Sequence, residues 1–195
     1  TRKIPYNHLV STIPIPELIQ AIGDDAPQEV KDAAVNFKYT SMLSVNVAVD
    51  RDNVSNMQYI YYPDREISFT RVSFPLNQSK YTAPSGKTGI CVEVPYSLEI
   101  PIEKDEIIVP KVMRDLIKVG ILKEDDTILF KDIRHVKHSY VVQHLNIDED
   151  LKIIRNFLKK HKIHSIGRYG EWKHSGTEHA IDDGRKIAAK LRFNC

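Results

Sequence analysis

The segment Met42-Leu43-Ser44-Val45-Asn46-Val47-Ala48-Val49 places Leu43, Val45, Val47 and Val49 at every second position. Successive side chains of an extended chain point to opposite faces, so this period of two makes a strand with one apolar face. A helix would scatter the same four side chains around its axis. A chain containing this segment must build a sheet and needs further strands and a covering layer to bury that side. Met57–Tyr62, Ser68–Phe74 and Thr88–Val94 read as such strands, and Asp50-Arg51-Asp52-Asn53 and Pro84-Ser85-Gly86 carry turn chemistry between them. The expectation is an antiparallel sheet.

Helical signals flank it. His8–Ile13 reads as a short strand closed by Pro14 and Pro16. A helix opens at Pro16 or Glu17 and stops at Gly23, and a second opens at Pro27 with Val30, Ala33 and Ala34 on one side. Pro110–Val119 predicts a helix ended by Gly120. Thr127–Val136 and Tyr140–Leu145 read as a strand pair split by a charged patch. Asp148–Lys160 then reads as a helix burying Leu151, Ile154, Phe157 and Leu158, and Ile163–Gly167 as a last strand before a last helix. This order is α+β, a mostly antiparallel sheet with flanking helices, and not regular βαβ alternation.

Composition narrows the function classes. The 195 residues hold 28 Lys+Arg against 26 Asp+Glu, a formal net charge of +2, which excludes a polybasic nucleic-acid tail as the main business of the chain. The basic run from Lys152 to Lys173 has few interleaved aromatics and reads as a solvated helix face, so no nucleic-acid partner is expected. Cys91 and Cys195 allow one disulfide at most, and no apolar run reaches the length of a membrane span, so a cytoplasmic protein without a membrane span is expected. Seven of the eight histidines lie between His135 and His179. His135 and His138 fall on opposite faces of a strand with no cysteine near, so no metal site is expected. The absence of a Gly-x-Ser-x-Gly elbow leaves a serine hydrolase without support. The opening on Thr1, close before a strand, reads as a piece of something longer.

Gly167-Arg168-Tyr169-Gly170-Glu171-Trp172-Lys173-His174-Ser175-Gly176-Thr177-Glu178-His179-Ala180-Ile181 compresses a strand end, a loop and a helix start into one run. Ser175 and Glu178 fit a capping box, and the helix is expected to begin near Gly176. Ala180, Ile181, Gly184, Ile187, Ala188 and Leu191 recur at three- and four-residue steps. They predict a face of small residues pressed closely on a sheet or ligand, with Gly184 at the contact. The free amides and positive dipole at the helix start suit an anion or an electron-rich ring.

The run Gly167–Ala188, preceded by Ile163-His164-Ser165-Ile166, resembles the C-terminal flavin-contacting segment of the flavin-dependent amine oxidase, protoporphyrinogen oxidase and UDP-galactopyranose mutase superfamily. Glycine-arginine, the Glu-Trp pair and the Ala-Ile-x-x-Gly helix match in order. Ser139-Tyr140-Val141-Val142 is similar to a strand that the family carries shortly before, and Val10-Ser11-Thr12-Ile13-Pro14 to the strand where the chain re-enters the flavin domain. Arg71-Val72-Ser73-Phe74-Pro75 and Cys91-Val92-Glu93-Val94 resemble its polysaccharide-associated branch.

The resemblance implies that residues 1–16 give a strand of the FAD-binding domain, 17–144 a substrate-binding α+β domain, and 145–195 the C-terminal part of the FAD-binding domain. It places Gly167, Arg168, Thr177, Glu178 and His179 at the cofactor. It places Tyr140, Trp172 and His174 at the substrate, together with Tyr59 and Tyr61, whose rings would stack on a sugar or other ring. It implies hydride transfer to flavin N5 on a small-molecule substrate, a nucleotide sugar among the candidates. The family's Gly-x-Gly-x-x-Gly is absent, since no two glycines have a Gly-x-Gly spacing. This implies a missing N-terminal FAD-binding half, and a chain inactive and without FAD by itself. The mutases carry Tyr at the position of His174 and Asp at that of Gly176, which sets mutase-type isomerisation behind oxidation. A non-enzymatic binding domain lacking the nucleotide half is the contrasting expectation.

Overall fold

The computed structural model describes residues 3–192. They form two compact units, one from the residues up to Tyr39 together with those from Tyr140 on, the other from Thr40–Ser139. Cys195 lies outside the described residues, and Cys91 is a free cysteine.

In the Thr40–Ser139 unit the alternating segment lies in β2 (Tyr39–Val49), within a five-stranded sheet. β3 (Tyr59–Tyr61), β4 (Arg71–Ser73) and β5 (Thr88–Tyr96) precede it in the order β3-β4-β5-β2-β6, and β6 (Ile128–Val141) forms the far edge. The antiparallel register sets Leu43 opposite Val94, Val45 opposite Val92 and Val47 opposite Ile90, so the middle of one pleat face is apolar. α3 (Asp105–Lys118) buries Ile108, Val109, Val112 and Leu116 in the same core, with Phe69 and Phe74. Each such side chain removed from water is worth roughly 1.5–3 kcal/mol, which is what holds the helix on the sheet. Arg51 ties the turn after β2 to the loop before β6: its Nε and Nη2 donate to the Asp126 carboxylate at 2.7 and 2.8 Å, and Nη2 to the Ile121 carbonyl at 2.9 Å. The hydrogen bond from Arg51 holds the Asp126 carboxyl below its ordinary pKa against the opposing effect of burial.

Two expectations are corrected here. The helix expected from Pro110 begins at Asp105, with Pro110 inside it. Ile108 and Val109 are buried, and that packing outweighs the hydrogen bond lost at an exposed proline. The strand pair expected at Thr127–Val136 and Tyr140–Leu145 is one continuous strand, β6. Its charged middle is tolerated because β6 is an edge strand, where Lys131, His135 and Lys137 face water and block further pairing. Ser41 Oγ donates to the Lys137 carbonyl at 2.7 Å, and His135 is held by Tyr96 Oη at 3.2 Å and Asp105 at 3.0 Å.

In the other unit β1 (Leu9–Ser11) pairs in parallel with β7 (Ile163–Ser165). α1 (Ile15–Ile22), α2 (Gln28–Val35) and α4 (Ile147–Lys160) surround a second core of Ile15, Ile19, Phe37, Ile154, Leu158 and Trp172. α1 stops where Gly23 turns to φ +66°, and α2 starts after Pro27, as the sequence predicts. His8 Nδ1 and His164 Nε2 lie 3.0 Å apart with the rings stacked, and burial, then Lys190, then His8 lower the His164 pKa.

Candidate functional site

Following β7, the chain turns at Gly167 with φ +80° into the single helical turn α5 (Gly167–Gly170). Only glycine adopts that backbone without cost. Gly170 is needed for a different reason: a Cβ there would stand 2.9 Å from Ser165 Oγ and 3.4 Å from the Ser11 carbonyl oxygen. Trp172 then takes φ +53°, and the chain reaches α6 (Thr177–Arg192).

Arg168 closes this loop on itself, its Nε and Nη2 donating to the Ser175 carbonyl at 2.9 and 2.5 Å. The guanidinium lies 5.6 Å from the centre of the Tyr140 ring, a cation–π contact, and Tyr140 and His174 have ring centres 6.1 Å apart. Lys173 pairs with Glu171 and, at 3.0 Å, with Asp183 of α6, and the Glu171 hydrogen bond raises the lysine pKa. The loop and the helix start are thus pinned by Arg168 from one side and Lys173 from the other.

Arg168, Tyr140 and His174 therefore come together, and Gly167 is the hinge that starts the turn. Thr177, Glu178 and His179 all stand exposed on the first turn of α6. Trp172, expected to wall a substrate cavity, is instead a core side chain: it is 1% exposed, its ring meets Phe37 edge-on at 5.3 Å, and its Nε1 donates to the Val142 carbonyl at 3.2 Å. The positive φ at Trp172 swings the indole inward, which the sequence does not announce. Tyr59 and Tyr61 belong to the other unit, exposed on β3 with their rings 5.6 Å apart.

The capping box is also corrected. Ser175 is 9% exposed and its Oγ has no hydrogen-bond partner among the described residues. The Gly176 amide donates to His179 Nδ1 at 3.3 Å, while Glu178 Oε1 lies 2.9 Å from the same nitrogen. The amide needs a lone pair on Nδ1 and the carboxylate needs a proton there, so the two contacts belong to alternative tautomers of the ring. Among the described residues the small-residue face of α6 is not packed closely on anything: the helix has no buried residue, Ile181 is 69% exposed, and a Cβ on Gly184 would have no neighbour within 4 Å. The Ser175 hydroxyl is the feature sequence reasoning misassigned, because a Ser-x-x-Glu spacing carries no information about which partner wins. Among the described residues no cluster of three or more potential ligands could hold a metal, and no helix is long and apolar enough to cross a membrane.

No protein-family model matches the chain, and no curated protein matches it. Solved structures do. A reduced UDP-galactopyranose mutase matches 98% of this chain with a TM-score of 0.88 at 20% identity. An Exiguobacterium sp. 255-15 protein assigned as a protoporphyrinogen oxidase matches 97% with a TM-score of 0.74 at 15% identity. An oxidoreductase from Methanosarcina mazei matches 70% with a TM-score of 0.53 at 12% identity. The chain spans 42% of the length of each of the first two structures. Over nearly its whole length the chain therefore has the fold of a part of UDP-galactopyranose mutase and of the protoporphyrinogen oxidase, which bears out at the level of fold the resemblance carried by Gly167–Gly184.

Proposed function

We propose that the chain is the substrate-binding and C-terminal portion of a FAD-dependent oxidoreductase. The first turn of α6 carries the reading: Thr177, Glu178 and His179 are exposed there, and just before them the buried Ser175 Oγ lacks a partner among the described residues. A helix start with accessible amides suits the electron-rich edge of an isoalloxazine ring. A buried hydroxyl without a partner costs about 1–3 kcal/mol, a cost that a polar cofactor edge would remove. The residues present thus fit that end of FAD. They do not fit its pyrophosphate, because no Gly-x-Gly occurs in the sequence, and that end is assigned to a nucleotide-binding half outside this chain. The isolated parallel pair β1 and β7 supports such a half, since parallel strands are normally embedded in larger covered sheets.

Bound flavin supplies hydride acceptance at N5. This chain supplies the first-turn amides, the Arg168 clasp that holds Ser175 in place, and the Tyr140–His174 surface on which a small-molecule substrate lies. In this reading the Thr40–Ser139 unit belongs to the substrate-binding part. One observation favours a second reading, flavin-dependent isomerisation: the higher TM-score is to the mutase, although His174 and Gly176 depart from the mutase pattern. The flavin spectrum of the complete protein tests the first step. Arg168→Ala is expected to lower the flavin bound per chain or the turnover; unchanged values for both would remove Arg168 from the site. FAD added to the present chain alone is expected to give no saturable fluorescence change.

A further inference from the structure

The antiparallel register carries one open face across the sheet of the Thr40–Ser139 unit. Tyr61 stands opposite Arg71, Arg71 opposite Glu93, and Glu93 opposite Ser44. The neighbouring row on the same face runs Tyr59, Ser73, Cys91 and Asn46. None of these side chains belongs to the core on the other side.

At the β3 end, Tyr59 is 51% and Tyr61 61% exposed, with ring planes at 76°. They are held in place: Arg71 Nη1 donates to Tyr61 Oη at 3.2 Å, its guanidinium lies 5.7 Å from the Tyr61 ring centre, and Nη2 pairs with Glu93. Further along the face is a trough of about 130 Å³ with Asn46 and Cys91 in its lining, small residues Ala48 and Gly89, and the exposed ring of Phe130. Three strand spacings separate β3 from β2, roughly 14 Å, which is the reach of several linked rings.

We propose that this face binds a neutral oligosaccharide. Exposed aromatic rings accept the apolar C–H face of a sugar, and serine, asparagine, arginine and carboxylate groups set at strand spacing serve the hydroxyls around it. The polar groups in the middle have capacity for better partners. Ser44 Oγ meets Asn46 Oδ1 at 3.3 Å and Cys91 Sγ at 3.4 Å, and Asn46 Nδ2 reaches the Asp132 carbonyl at 3.4 Å, all at the long end of hydrogen bonding. Charge decides against an anionic ligand. Arg71 is matched by Glu93, and on β6 Arg134 is matched by Asp132 at 2.9 Å, so a phosphate on this face would meet a carboxylate beside each arginine. The proposal does not rest on the flavin reading.

Amide NMR of the labelled protein with maltohexaose, cellohexaose, a β-1,4-galactan hexasaccharide and, separately, uridine diphosphate tests it. At least one neutral hexasaccharide is expected to give saturable shifts on β3, β4, β5 and the middle of β2, with an affinity insensitive to salt. Tyr59→Ala and Tyr61→Ala are each expected to weaken it about tenfold with the protein still folded, the Tyr61 change also lowering the unfolding midpoint slightly through its lost contact with Arg71. No saturable shift with any of the three sugars, shifts confined to other elements, or a salt-dependent preference for uridine diphosphate overturns the proposal.

Discussion

Two glycines three residues apart show how differently one residue type is used. Gly167 is required by its φ of +80° and has open space where a Cβ would go, so Gly167→Ala carries only the backbone cost, about 1–2 kcal/mol. Gly170 is required by proximity to Ser165 Oγ, which is itself without a hydrogen-bond partner among the described residues. Gly170→Ala is expected to destabilise by about 1–3 kcal/mol in urea unfolding. Adding Ser165→Ala should recover part of that loss while leaving Gly167→Ala untouched, and a purely additive cycle would contradict the contact. Asp126 gives the pH prediction. Its native carboxyl is depressed by Arg51, so its contribution is complete above the ordinary carboxylate range, near pH 4, and is lost as pH falls through the lowered native value. Arg51→Ala is expected to reduce stability at neutral pH by about 2–3 kcal/mol and to flatten the acid limb of the stability profile. An acid limb of unchanged steepness would show that other carboxylates govern it.

Elements followed the sequence wherever packing and local chemistry agreed. The alternation of β2, the stop at Gly23 and the apolar spacing of α4 were all legible because each is a short-range pattern with one physical solution. β6 was legible as strand but not as one strand, since its charged middle looks like a loop until it is known to be an edge strand paired with β2. α6 was read correctly as a helix, and the face expected to press on a sheet or ligand is uncovered among the described residues. With its small-residue face uncovered, Gly184 costs helix propensity and contributes no contact here. Gly184→Ala should therefore stabilise this chain by about 0.5–1 kcal/mol in thermal or urea unfolding. In a complete protein where another segment covers the face, the same change should be destabilising. Destabilisation in the present chain would mean that α6 is already covered.

At the scale of the whole molecule the described residues hold two hydrophobic cores, one in each compact unit. The sheet core is closed by α3 and is built from contiguous sequence. A fragment spanning residues 40–139 is expected to unfold cooperatively, with a single transition seen by both far-UV dichroism and tyrosine fluorescence. Non-coincident or absent transitions would show that this core depends on the other unit. The first unit joins segments from both ends of the sequence, so neither segment alone should fold.

By itself the sequence determined the α+β class, the one-sided sheet, most helix ends and the special run from Gly167 to Ile181. These are local: periodicity of two or 3.6, a cap, a residue that must take positive φ. The candidate site divides the same way. The helix start near Gly176 was readable because helix periodicity acts over a few residues, whereas the positive φ of Gly167, read as a strand end, and the loss of the Ser175 cap were not. Tertiary structure alone decided that Arg168 clasps Ser175, that Trp172 turns into the core beside Phe37, and that Arg71 meets Tyr61 on one side and Glu93 on the other. Those contacts join residues with no fixed spacing along the chain, and strand register, helix packing and the direction of a single φ angle select among many partners that the sequence leaves equally open.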